Sequence, residues 1–204
     1  ASHPQIPPTM PSSSRGAEVD PWRGTAQLAP LLPEGRTLAE VFLRQAARDP
    51  GRAVLADATS GVKTYRDVIT GILALKPALE AVPGPYVGIM LPASIGGAVL
   101  FLTALFAGKT PVILNWTAGL RNMIQGLDLL EVRHVFTARA LVSKLEDQGV
   151  PLQGLEERFV YLEDLAKGLP MRRKLAAKVQ SYLSCASLRR APVADTAAVL
   201  FTSG

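Results

Sequence analysis

From Tyr86 to Ala107 the chain contains no charged residue, and this run restricts the possible folds more than any other stretch. An uncharged segment of this length has two physical homes, a lipid bilayer or the interior of a layered α/β protein. Pro92 interrupts the run early, Gly96 and Gly97 follow, and helical periodicity holds only after the proline. The segment therefore divides into an apolar strand, "YVGIML", a turn, and a helix over 93–107 that is apolar on every side. A helix without a polar face belongs between two layers. A membrane-embedded segment of a larger fusion stands as the rival, and partitioning between soluble and membrane fractions separates the two.

The neighbouring segments extend the alternation. Leu38, Val41, Phe42 and Ala46 recur at helical spacing after Thr37, a cap residue, and Asp49-Pro50-Gly51 ends that helix. "RAVLAD" reads as a strand with "ATSG" as its turn, and "TYRDV" opens a helix with Thr64 and Asp67 spaced as a capping box. "TPVILN" is a strand, followed by a helix with Leu120, Met123, Ile124, Leu127 and Leu130 on one face. "HVFT", a helix over "ARALVSKLEDQ", and "RFVYLED" come next. A basic amphipathic helix over 169–184 carries Met171, Leu175, Val179 and Leu183 four residues apart, and a strand over 197–201 closes the order. Strands alternating with helices, with apolar residues throughout the strands, predict a mainly parallel sheet covered by helices on both faces.

Residues 1–36 are of different material. Seven prolines interleaved with Ser12, Ser13 and Ser14 sustain neither a helix nor a ladder, so this stretch reads as a tail or linker and 37–204 as one α/β unit. A chain of 204 residues with 48% hydrophobic and 19% charged residues buries a core of its own. The lone Cys185 forms no internal disulfide, and no basic stretch followed by an apolar segment opens the chain, so the expected location is the cytoplasm. The net charge of +5 is unevenly placed: Lys167, Arg172, Arg173, Lys174, Lys178, Arg189 and Arg190 cluster in the last quarter. Such a run is a solvated helix face or a docking surface near 170–190 for an acidic partner or an anionic membrane, which would add a peripheral site at the inner membrane face. Nucleic acid fits poorly, because Tyr182 is the run's only aromatic and no binding motif accompanies it.

Several short matches carry no chemistry. "AGKT" ends like a phosphate loop, but Thr103 stands where the first glycine belongs, and a helix cap at Gly108 explains the stretch. "NWT" matches a glycosylation acceptor in a chain without an export signal. His3 and His134 have no Cys or carboxylate at ligand spacing, so no metal site is expected, and no catalytic Ser-His-Asp set can be assembled.

The chain ends "AVLFTSG". A strand running into Thr202, Ser203 and Gly204 sets two hydroxyls and a permissive glycine at the carboxyl edge of a parallel sheet, where open α/β folds hold ligands. Hydroxyls and backbone N–H groups in such a turn suit phosphate oxygens, although a simple turn explains the tripeptide equally well.

In order along the chain, "TLAEVFLRQAARDPGRAVLAD", "KTYRDV", "YVGIMLPASIGGAVLFLTALFAGKTPVILN", "VRHVFTAR" and "DTAAVLFTSG" resemble the first part of an adenylate-forming acyl synthetase, of the acyl-CoA synthetase and luciferase superfamily of AMP-binding enzymes. The resemblance covers 37–204. "TPVILNWTAGLRNM" and "VRHVFTARALVSKL" resemble the branch of fatty acyl-acyl carrier protein synthetases and acylglycerophosphoethanolamine acyltransferases, with Asn115 and Gly119 on its Leu-Asn-aromatic-x-x-Gly stretch. A cap at the strand-to-helix connection accounts for Asn115 better than ligand contact does.

The resemblance implies an ATP-dependent, AMP-forming fatty acid:thiol ligase with ATP and Mg as cofactors. Its acceptor would be CoA or the phosphopantetheine of an acyl carrier protein, and the basic helix near 170–190 would then be a docking surface for that acidic carrier. In the family this loop continues through Ser, Thr and Gly residues to Pro-Lys-Gly and cradles the ATP phosphates, so Thr202, Ser203 and Gly204 are its cofactor-binding residues here, with no catalytic or metal residue assigned. The family's magnesium-binding acid, adenine pocket and C-terminal lysine come later than Gly204. The chain is therefore expected to be an N-terminal portion cut at a phosphate loop, neither adenylating nor binding ATP tightly alone. A non-catalytic α/β interaction module is the alternative. A downstream Ser/Thr/Gly stretch ending in Pro-Lys-Gly favours the enzyme.

Overall fold

The computed structural model describes residues 34–201 except Ser184. The described chain runs α1 (Leu38–Arg48), β1 (Ala53–Asp57), β2 (Gly61–Thr64), α2 (Tyr65–Glu80), β3 (Tyr86–Ile89), α3 (Ile95–Phe106) and β4 (Thr110–Ile113). After a 3-10 turn at Trp116–Ala118 come α4 (Leu120–Leu129), β5 (Val135–Thr137) and α5 (Arg139–Asp147). A second such turn at Glu156–Arg158 leads to β6 (Phe159–Tyr161), α6 (Leu162–Gly168), α7 (Met171–Leu183), α8 (Ala186–Arg189) and β7 (Val199–Leu200).

Local chemistry sets most of these boundaries. The Thr37 hydroxyl accepts from the Glu40 N–H and opens α1. Thr64 and Asp67 form a reciprocal capping box, in which the Thr64 N–H donates to the Asp67 carboxylate and the Asp67 N–H to the Thr64 hydroxyl. Ser94 opens α3 by accepting from the Gly97 N–H. Gly108, at φ 71°, ends α3 while the Lys109 N–H returns to the Ala104 carbonyl, a turn that favours glycine. The phosphate-loop match at "AGKT" is thus a helix terminus. The Lys109 ammonium donates to the carbonyls of Val82 and Gly84 at 2.6 Å each, beside the amino ends of β3 and β4 and away from any ligand edge.

Five strands form one parallel sheet in the order β6-β5-β3-β4-β7. Helices cover both faces. Val87, Ile89 and Phe136 pack with Leu100 and Ala104 of α3 on one side. Met90, Val112, Leu114 and Val135 pack with Met123 and Leu127 of α4 and Leu141 and Leu145 of α5 on the other. Leu105 and Phe106, on the far side of α3, meet Phe42 of α1 and Ile69 and Ile72 of α2 in a third cluster. Helix α3 is buried between the sheet and a second helical layer, as its missing polar face predicts. No helix among the described residues is long and apolar enough to cross a membrane.

Four features differ from the sequence reading. β1 does not join the parallel sheet; it pairs antiparallel with β2, a strand not anticipated, in a two-stranded hairpin. The strand expected over "RFVYLED" stops at Tyr161, and Leu162 already begins α6. β7 is only two residues long. Met171, Leu175, Val179 and Leu183 of α7 point to solvent, whereas small residues, Ala177 and Ser181, are the buried ones. Small side chains let α2 approach closely, and the Ser181 hydroxyl lies 2.9 Å from that of Thr70.

Candidate functional site

The strand order reverses direction at β3: the chain leaves β3 for β4 on one side, then returns to β5 on the other. In open parallel sheets such a reversal leaves a crevice at the carboxyl ends of the flanking strands, because the two connecting segments depart in opposite directions. A cleft of about 490 Å³ lies there. Leu91, Pro92 and Ser94 follow β3, Trp116 follows β4, and Ala138 and Lys144 lie beyond β5, all lining the cleft. Its lining mixes apolar residues such as Leu91, Leu141 and Leu145 with Lys144 of α5 and with Asp57, Thr59 and Ser60 of the hairpin turn.

Asp57 fixes that turn to the start of α3. Its carboxylate accepts from the Ile95 N–H at 2.8 Å, at the start of α3, and from the N–H groups of Ser60 and Thr59. The Ile95 N–H, followed by that of Ser60, holds the Asp57 carboxyl below its ordinary range, since these donors favour the anion. Asp57 was read only as the end of a strand, and its separation from Ile95 by 38 positions left no local signal for the clamp.

Asn115 caps the 3-10 turn through Oδ1, which accepts from the Thr117 N–H at 3.0 Å and its hydroxyl at 2.8 Å. Gly119 starts α4 at φ 87° with nothing near its missing side chain. The Leu-Asn-Trp-Thr-Ala-Gly stretch therefore shapes the connection beside Trp116, in accord with the capping role expected of Asn115. His134 contributes its carbonyl to the Gly88 N–H in the β3–β5 ladder. Among the described residues no three His, Cys, Asp or Glu side chains gather as a metal site.

β7 reaches the same edge of the sheet. Val199 pairs with Val112 and Leu200 with Ile113, parallel, so Phe201 leaves the sheet at the carboxyl end of β4. The Phe201 ring packs on α4 against Gly126 and joins the cluster around Leu127 and Met123. The next residues, Thr202, Ser203 and Gly204, lie outside the described residues.

The fold has known counterparts. A benzoate CoA ligase from Burkholderia xenovorans LB400 superposes with a TM-score of 0.51 at 22% identity, over 64% of this chain and 28% of that one. VinN in complex with L-aspartate gives 0.54 at 17% identity, over 68% and 38%. The N-terminal subdomain of Klebsiella oxytoca NpsA gives 0.51 at 19% identity, over 65% and 33%. At these identities the likeness carries the fold alone, and the chain spans about a third of the length of the structures it matches. The sequence pattern of AMP-binding enzymes matches residues 42–204, well over half of the chain. The chain belongs to that adenylate-forming family and folds as the family's N-terminal α/β region does.

Proposed function

We propose that this chain forms the amino-terminal part of an AMP-forming fatty acid:thiol ligase and carries the opening of its nucleotide loop. The observation that supports this most is the course of β7: a strand inside the family-matched segment runs parallel beside β4 to the carboxyl edge of the sheet, and Thr202, Ser203 and Gly204 follow it in the sequence after Phe201.

In this reading an oxygen of the acid's carboxylate attacks the α-phosphorus of ATP, the bond to the bridging oxygen breaks, and pyrophosphate leaves with the electron pair. A thiol of CoA or of a carrier's phosphopantetheine then attacks the acyl carbon, loses its proton to solvent, and AMP departs. Negative charge moves onto the departing pyrophosphate in the first step, so donors held in advance lower the barrier. Thr202 and Ser203 supply hydroxyl and backbone donors, and Gly204 permits close approach. Magnesium is proposed to arrive on the nucleotide, as this hard cation usually binds through phosphates and few carboxylates. The preference for a fatty acid is supported by the "LNWTAG" stretch, whose turn borders the switch-point cleft through Trp116.

Carboxylate-dependent exchange of labelled pyrophosphate into ATP tests the reading, on protein carrying the chain in its natural reading frame. Medium- and long-chain fatty acids should support exchange, with benzoate and amino acids well below them. Exchange with none of these acids would refute the ligase reading. Exchange with benzoate or an amino acid alone would refute the fatty acid assignment.

A further inference from the structure

Amphipathic helices on globular proteins turn their apolar side inward. Helix α7 does the reverse. Met171, Leu175, Val179, Tyr182 and Leu183 are 48–79% exposed, while Ala177 and Ser181 face α2. At about 100° per residue the five exposed apolar positions fall within an arc of roughly 120°, opposite the buried pair. The Tyr182 ring is held at one side, 4.2 Å from the Arg66 guanidinium. An apolar stripe of this length facing water marks a surface that another phase or molecule covers.

Charge tells which. Between Asp164 and Asp195 the chain has no acidic residue and seven basic ones. Lys174 and Lys178 border the apolar arc on one side, and Arg172 lies within it near its other edge. Arg172, Arg173, Lys174 and Lys178 are all exposed, and none has an ion-pair partner among the described residues. Asp164, the nearest acid in sequence, is engaged by Arg139.

We infer that the outer face of α7 docks on an anionic bilayer surface, with its apolar stripe at the boundary between headgroups and acyl chains and its basic residues on lipid phosphates. The stripe is the convex side of a single helix. Lipid closes around a convex apolar surface without a matching groove, and the adjoining bases add attraction of about 1 kcal/mol each near an anionic leaflet. An acidic protein would account for the bases but not for five exposed apolar side chains. The inference is independent of the proposed ligase activity.

Co-sedimentation with vesicles tests it, using protein that carries the chain in its natural reading frame. Vesicles of equal parts phosphatidylglycerol and phosphatidylcholine should bind it at least about tenfold more tightly than pure phosphatidylcholine, and added salt should weaken that binding. R172E/R173E/K174E and L175S/V179S/L183S should each abolish binding while circular dichroism and Tm stay unchanged, because all six side chains are exposed. Tryptophan emission from V179W should shift to the blue only with the anionic vesicles. No vesicle binding, equal binding to both compositions, or full binding by the serine variant would overturn the inference. So would self-association, or capture by a phosphopantetheinylated acyl carrier protein, that the serine variant abolishes in the absence of vesicle binding.

Discussion

Phe201 occupies the space that a side chain at Gly126 would need: a Cβ there would stand 2.6 Å from two atoms of its ring. The contact fastens the carboxyl end of β7 to α4, one residue before Thr202. Gly126→Ala should therefore destabilise the fold by about 1–3 kcal/mol, despite alanine's better helix propensity, because the ring has to move. Phe201→Leu in the same chain should recover most of the loss. Urea denaturation of the two single variants and the double variant measures this, and an unchanged midpoint for Gly126→Ala would show that the ring is seated elsewhere.

Asp57 ties the β1–β2 hairpin to the start of α3. Its folded-state carboxyl titrates below the unfolded one, so its contribution to stability is present above the unfolded pKa and is lost as pH falls through the folded pKa. Asp67 and Glu40 share this direction, held first by the backbone N–H groups of Thr64 and Arg36 respectively. Tm should thus fall as pH drops below about 4, and Asp57→Asn should lower Tm at neutral pH and flatten that acid-side decline. A decline as steep in Asp57→Asn as in the parent would remove Asp57 from the account.

The orientation of α7 is tested by two substitutions of opposite kind. Ala177→Leu pushes a larger side chain into the contact with α2 and should cost about 1–3 kcal/mol. Leu175→Ser changes only the outer face and should stay within about 0.5 kcal/mol of the parent. The reverse order of costs in thermal or urea melts would mean that the helix is turned the other way.

The parallel sheet and its buried helix were legible because their signals are local and redundant. An uncharged strand, a break at Pro92 and an all-apolar helix over 86–107 fit one arrangement in a layered α/β fold. The caps at Thr37, Thr64 and Gly108 were legible because each depends on residues within five positions. β2 was not: "GVKT" is short, half polar and exposed at Gly61 and Val62, so it lacks the alternation that marks a strand. The facing of α7 was hidden because leucine spacing identifies an apolar stripe but not which layer it meets. Two small residues, Ala177 and Ser181, decided the contact with α2. The cleft combines residues from Asp57 to Leu162, a convergence that only the order of the strands reveals.

The central claim is that the strand leaving the sheet beside β4 delivers a phosphate-holding loop. Pyrophosphate exchange by Thr202→Ala/Ser203→Ala, in protein carrying the chain in its natural reading frame, measures it most directly. Loss of two fixed donors should reduce exchange by about a hundredfold or more at unchanged Tm, with the KM for the acid little altered. Exchange at the parent rate would contradict the claim.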